Sequence, residues 1–400
     1  AECVTFPEFN DEADFKKWLN SVKGKIVLVS EPELTGRPDY NWDEFGTKES
    51  IEKMKAEREA AGKKWNENIE KTGMPTRSRD GAKTIYDAIE EAGAVAVISS
   101  RWSQGFGVNK IFSTITKKIP SFDVGMEDYG LIYRLTANGD KPKLRLKADA
   151  KFNGAVPNNN TVAEIKGGKM AKQYVMLSAH FDSWDGGSGA TDNGTGTLVM
   201  MEAMRILKKV YPKPNRTLMV GHWSSEEQGL NGSGAFVEDH PEIVKNLQAL
   251  FNQDNGTGRV INMSGSGFVH SSEFLGRWLQ QVPSEVTDGI KTNFPGTPSG
   301  GGTDHASFVI AGAPGFGLSS LNWSYWNYTW HTNRDTYDKL VWDDLVNNVI
   351  LVASLAYLAS EDPQFFPRDR REVMPVSRRT GEPMTWPEKR NPERKGRLDD

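Results

Sequence analysis

From about Pro157 onward the chain repeats one pattern: an apolar run rich in β-branched residues, a loop, then apolar residues at spacings of three and four. Tyr174–Ala179 reads as a strand and Thr195–Val210 as a helix. Arg216–Trp223 follows as a strand, Leu230–Asp239 as a helix and Leu247–Asn252 as a strand. A helix at Ser272–Gln281, a strand near Phe316–Leu321 and a long helix from Trp342 to Ser360 complete the series. Such alternation commits the segment to an α/β fold, helices layered on a largely parallel sheet. In open sheets of this class, sites form in the crevice beyond the carboxyl ends of the strands.

Residues 1–156 read as a separate module. Gly24–Ser30 is an apolar run ended by Pro32, and Lys48 to about Thr72 is a charged, solvated helix. Thr84–Ala92, a glycine break and Ala94–Ile98 read as helix then buried strand. Ile119–Val124, Lys143–Ala148 and Thr161–Ile165 are further strand candidates. No residues of this module converge on chemistry, so it reads as a support or lid. Beyond residue 365 the chain turns rich in Pro, Arg and Glu, and 366–400 reads as an extended or disordered tail.

Four hundred residues fit two domains with a full core. A formal net charge of −4 gives no electrostatic reason to expect nucleic acid or an anionic membrane as partner. Cys3 is the only cysteine, which excludes an internal disulfide and a Cys-rich zinc site. No apolar run approaches the ~18–20 residues of a membrane span, and Ala1 opens no basic-then-apolar leader. The triplets Asn193-Gly194-Thr195 and Asn255-Gly256-Thr257 adjoin candidate site residues, where a glycan would block access. They read as chance matches and favour a bacterial source.

The candidate site residues fall just after predicted strands. His180-Phe181-Asp182 ends one; residues i and i+2 of an extended segment face the same side, so Asp182 can accept the second imidazole N–H of His180. Asp192 lies in the loop Gly186–Gly194, which lets backbone approach a ligand closely; a phosphate loop competes, but its Lys-Ser/Thr ending is missing. Glu226-Glu227 follows an apolar strand, where two adjacent carboxylates are costly unless something positive compensates them. A metal on one would free the other as general base; an acidic helix start is the plainer alternative. Asp254 is otherwise a turn residue and His331 a partly buried imidazole. Taken together, imidazoles and carboxylates in this order suit two divalent cations ~3.5–4 Å apart around an activated water.

The runs His180–Asp185, Gly189–Gly194, Glu226–Gly229, Asp254 and Trp330–Thr336 resemble the co-catalytic zinc aminopeptidases, with Asp182-Ser183-Trp184-Asp185 closest to their carboxypeptidase Q branch. The resemblance runs from about Asn160 to Asp362. It implies a three-layer zinc-exopeptidase fold with a mostly parallel mixed sheet, and, more loosely, a β-rich α+β protease-associated domain over 1–156. It also implies two Zn2+ per chain: one on His180, Asp192 and Asp254, the other on Asp192, Glu227 and His331, with Asp192 bridging. Glu226 would be the general base, the Asp192–Asn193 peptide cis, and peptides or dipeptides the substrates. A secreted or periplasmic location and a homodimer are compatible with it.

Three departures stand out. Asn193 stands where many relatives have Asp, and Trp330 where several have a Tyr that helps hold the oxyanion; His305 or Tyr328 is the expected substitute, with His305 as the catalytic candidate. The chain also opens almost directly at the inserted module, which predicts a sheet short of edge strands and exposed apolar surface. Two other functions stay open: a glutaminyl cyclase-like transferase with a single zinc, and a binding ectodomain with an impaired site.

Overall fold

The computed structural model describes residues 1–77, 82–151, 153–154, 156–377 and 380–394. The chain divides into two units, the first made of Ala1–Lys151 together with His331–Arg334, the second of the remainder.

The strands of the first unit are short: β1 (Cys3–Thr5), β2 (Ile26–Leu28), β3 (Ala96–Ser99) and β4 (Ser121–Asp123), parallel and adjacent in that order. Its helices are α1 (Glu12–Leu19), α2 (Asp39–Phe45), α3 (Lys48–Glu70), α4 (Ile85–Glu91) and α5 (Met126–Ala137). The β-rich module expected from the sequence is thus corrected to a helix-rich one. Each apolar run pairs over only three or four residues, whereas the charged stretch at 48–70 forms a 23-residue helix that buries only Met54 and Asn68. Lys143–Ala148 is no strand either. Leu144 and Leu146 pack against the cluster around Ile26 and Leu28, but the ladder stops at an isolated Lys143–Glu2 bridge. α4 begins where the sequence signals it: Thr84 and Asp87 form a reciprocal capping box.

The second unit begins with β5 (Thr161–Ile165) and β6 (Met170–His180), followed by α6 (Thr195–Val210), β7 (Arg216–Trp223), α7 (Asn231–Asp239) and α8 (Pro241–Lys245). Then come β8 (Leu247–Gln253), β9 (Val260–Ser264), α9 (Ser271–Leu279), α10 (Ser284–Thr287) and β10 (Lys291–Asn293). α11 (His305–Ile310), β11 (Gly315–Ser320) and α12 (Trp342–Glu361) complete it. The sheet order is β10-β9-β11-β8-β6-β7-β5. β8, β6 and β7 are parallel neighbours; β5 runs antiparallel to β7, and β11 is antiparallel to β9. This is the mixed, mostly parallel three-layer sheet expected.

Alternation along the strands sorts the core into two layers. Val175, Leu177 and Ala179 face one side, where they meet Val199, Ala203 and Leu207 of α6, Trp278 of α9 and Leu351 and Leu355 of α12. Met176 and Met219 face the other side, with Trp223, Phe236 of α7 and Phe308 of α11. Burying an aromatic of this size contributes ~1.5–3 kcal/mol, so packing on the central strands supplies much of the unit's stability. At the sheet edge, β5 keeps only Ile165 buried. On the helix layer, Leu198, Met201, Val346 and Ile350 are exposed. Among the described residues, no helix is long and apolar enough to cross a membrane. The tail is not loose over its described part: Phe366 is fully buried, and Trp386 packs edge-on against Phe268 at 5.5 Å. Within the tail, 378–379 and 395–400 lie outside the described residues.

Candidate metal centre

Three adjacent parallel strands, β6, β7 and β8, end side by side, and each delivers part of the site at its last pair or within four residues beyond it. His180 is the final residue of β6 and is 1% exposed. Its Nε2 lies 3.2 Å from Asp254 Oδ1, just past β8, and 3.3 Å from Asp192 Oδ1. Ligand atoms of His180, Asp192 and Glu227 fall within 4.8 Å of one another. Four of the five expected ligands, His180, Asp192, Glu227 and Asp254, therefore belong to one buried cluster in the second unit. The fifth, His331, belongs to the first unit, where its carbonyl accepts the Ile111 N–H (2.7 Å) and its ring meets Phe112 edge-on at 4.7 Å.

Asp182 is corrected in its role. His180 Nδ1 is held at 2.8 Å by the Asp182 backbone carbonyl, and the carboxylate stands off at 3.8 Å. The strand ends at His180, so the alternation that would turn Asp182 toward the ring does not continue. Its carboxylate instead accepts the backbone N–H groups of Glu226 (3.1 Å) and Glu227 (3.2 Å). Asp182 thus fixes the imidazole from behind and the acidic turn from below.

The loop carrying Asp192 is held by Asp335, whose carboxylate accepts the N–H groups of Thr191 (2.6 Å) and Asp192 (2.9 Å). Ser183 donates to the Asp192 carbonyl at 2.7 Å, and the Asp192–Asn193 peptide is cis, as the resemblance implies. The departure at Asn193 has a reason here. Its Nδ2 donates to the Gln253 carbonyl (2.9 Å) while Oδ1 accepts the Gly196 N–H (3.1 Å), and an ionised Asp could make only the second bond. Gly196 is required at this join, because a β-carbon would stand 2.3 Å from the Gln253 carbonyl oxygen.

Beneath Asp254 runs a buried hydrogen-bond chain. Trp223 Nε1 donates to Ser178 Oγ (2.7 Å), Ser178 to Asn252 Oδ1 (2.7 Å), and Asn252 Nδ2 to Thr303 Oγ1 (2.8 Å). The Thr303 hydroxyl in turn donates to Asp254. Thr303, Asp335 and Tyr325, whose buried hydroxyl bonds Asp192, escaped the sequence reading. Thr and Tyr carry no charge signal, and their partners are over 45 residues away in the chain. His305 packs against β11, where a β-carbon on Gly317 would lie 2.9 Å from its Cε1. Tyr328 is half-buried and lines a cavity of about 200 Å³ with Thr191 and Tyr325.

The electrostatics are those of carboxylates crowded without enough positive charge. Burial pushes Asp192 up to about 7 and Glu227 up to about 8, and raises Glu226 well above the usual range. Burial would lower His180, yet Asp254 and Asp192 carry it well above its ordinary value. Asp304, wholly buried, is pushed up to about 7 by desolvation, with only partial relief from His180 and the Ser233 hydroxyl. Burial pulls His305 down to about 4, so it is neutral near pH 7. A divalent cation fits this set: oxygen and imidazole donors face one point, and its charge removes the penalty that raises the carboxyls.

Residues 160–356 match the model of peptidase family M28. This segment belongs to that family. The chain is 30% identical to carboxypeptidase Q of Xenopus laevis over 253 residues, which is 63% of this chain and 52% of the relative. It is also 30% identical to the Homo sapiens carboxypeptidase Q over 254 residues, with the same coverage, 63% and 52%. The chain thus spans about half the length of these relatives. Among solved structures, a peptidase M28 precursor from Shewanella amazonensis superposes with a TM-score of 0.61 at 20% identity, over 92% of this chain and 75% of that one. BSAP, a zinc aminopeptidase from Bacillus subtilis, gives 0.55 at 21%, over 93% and 78%. These likenesses show the M28 fold.

Proposed function

We propose that the chain is a zinc-dependent exopeptidase that hydrolyses N-terminal peptide bonds or dipeptides. The observation that carries this reading is the His180 Nε2 atom facing Asp254 and Asp192 at 3.2 and 3.3 Å, with Glu227 in the same cluster. The names of the relatives, carboxypeptidase Q and a zinc aminopeptidase, point the same way.

In this reading His180, Asp192 and Asp254 would hold one zinc, and Asp192 and Glu227, with His331 as the resemblance implies, would hold a second. When bound, the ions compensate the buried carboxylates, lower the pKa of water and polarise the scissile carbonyl. Glu226 needs no metal of its own; it accepts the proton of the attacking water and returns it to the leaving amine. Asp182 keeps Glu226 and Glu227 in place through their N–H groups. His305, neutral and next to Asp304, donates to the developing oxyanion. Residues 1–156 would be the protease-associated module that the resemblance implies, in a helix-rich form, and the location secreted or periplasmic.

The test is metal analysis of the purified chain beside a panel of aminoacyl and dipeptide substrates, with Glu226→Gln as control. Two zinc equivalents and hydrolysis abolished by that substitution are expected. One equivalent with cyclising activity would move the chain to a transferase, and turnover surviving Glu226→Gln would defeat the mechanism.

A further inference from the structure

The C-terminal segment touches both loops that frame the cluster. After Trp386, which packs on Phe268, the chain crosses the glycine loop ahead of Thr303. A β-carbon on Gly300 would stand 3.1 Å from Pro387, and one on Gly301 3.2 Å from the Arg390 guanidinium. Further on, the Glu393 N–H donates to Asn231 Oδ1 at 2.7 Å, and Arg394 pairs with Asp239 (2.9 Å) and Glu238 (3.2 Å) of α7. Asn231 is the first residue of α7 and closes the acidic turn. Its Nδ2 donates to the Gln228 carbonyl at 3.3 Å, and its N–H to the Ser225 carbonyl at 3.0 Å. One side of the tail thus bears on the turn carrying Glu226 and Glu227, the other on the loop that sets the Thr303 hydroxyl against Asp254.

We propose that Pro387–Arg394 is a positioning strap that spans these two loops and holds the acidic turn and Thr303 in register. The proposal rests on the metal reading above. Its contacts suit such a role. The two glycines let the strap lie flat on the loop, and a backbone N–H bond to Asn231 fixes its register. The ion pairs to α7 are exposed and weak singly, so they steady the strap without dominating it. Outer supports of this kind act on metal affinity or activity.

The test compares the full chain with one ending at Pro387, which keeps Trp386 in its aromatic cluster, and with full-length Asn231→Leu, which removes both the acceptor for Glu393 and the donor to Gln228. Asn231→Asp, set beside it, loses only the donor and should stay near wild type. Zinc affinity is read by competition with a chromophoric chelator, and kcat and KM are read on a dipeptide at saturating zinc. The shortened chain should bind zinc at least about tenfold more weakly, with kcat lowered and KM unmoved, and Asn231→Leu should show a smaller change of the same sign. A shortened, folded chain with wild-type zinc affinity and kcat overturns the strap alone. If it does not fold, Asn231→Leu decides, unchanged zinc affinity and kcat overturning the proposal. A full chain that binds no zinc overturns the metal reading and the strap with it; one that binds zinc but cleaves nothing leaves the zinc comparison to decide.

Discussion

The two units bury polar groups to different ends. In the first, Asn68 and Glu90 have found ordinary partners and serve the backbone. Asn68 accepts the Phe9 N–H at 2.7 Å and donates to the Pro7 carbonyl at 2.8 Å, pinning one loop to α3. Glu90 accepts three consecutive backbone N–H groups, from Lys117, Lys118 and Ile119. In the second unit the buried polar groups at the strand ends are ionisable, like-charged and crowded: Asp192, Asp254 and Asp304 lie beside His180 with Glu226 and Glu227 close by. The first arrangement is explained by folding alone. The second costs stability unless a cation joins it, and that excess is what marks a site.

The sharpest way to break this contrast is Glu226→Gln. As general base it should lower kcat by about 10³-fold, within the range for such groups, while zinc content holds. Peptide hydrolysis with metal analysis checks both, and a drop of only a few-fold would make the acidic pair structural.

The next lever is pH. Asp192 and Glu227 have folded pKa values of about 7 and about 8, raised by burial above their unfolded values. A carboxyl raised on folding contributes stability that is present below its unfolded value and lost as pH rises through the folded one. Asp254, held below the ordinary range by His180 and Thr303 against the effect of burial, works oppositely but only at acid pH. Chelator-treated protein should therefore melt at lower temperature at pH 8 than at pH 5.5, and zinc should remove the difference. Equal melting across that range without metal would show that the crowding is not felt.

Smaller effects sharpen the comparison. Thr303→Val cuts the hydrogen-bond chain under Asp254 and should weaken zinc binding by about 10–100-fold, read by chelator competition. His305→Ala should lower kcat by about 10²-fold if it serves the oxyanion, and near-normal turnover would remove that role. Asn68→Ala, in the first unit, should cost about 1–3 kcal/mol through the lost backbone partners, with kcat per folded molecule unchanged.

Much of this was legible in the sequence, and for a physical reason. α6, β7 and α12 bury long, regular apolar patterns, so their limits follow from periodicity. The proposed ligands His180, Asp192, Glu227 and Asp254 stand out because charge beside apolar strands is anomalous. Short elements were harder: β1, β9 and β10 pair over three to five residues and carry no pattern of their own. Asp182 was misread because its strand stops two residues early, reversing which of its atoms meets His180. The tail reads as extended or disordered from its composition, which carries no sign of the contacts, distant in sequence, by which Trp386 and the Asn231 bond tie its described part down.

One titration bears most directly on the charge-deficient cluster. Protein stripped with chelator and titrated with zinc should take up two equivalents per chain, and Asp192→Ala, lacking the proposed bridge, should hold neither tightly. Uptake of no zinc by the wild type, or equal uptake by Asp192→Ala, would contradict it.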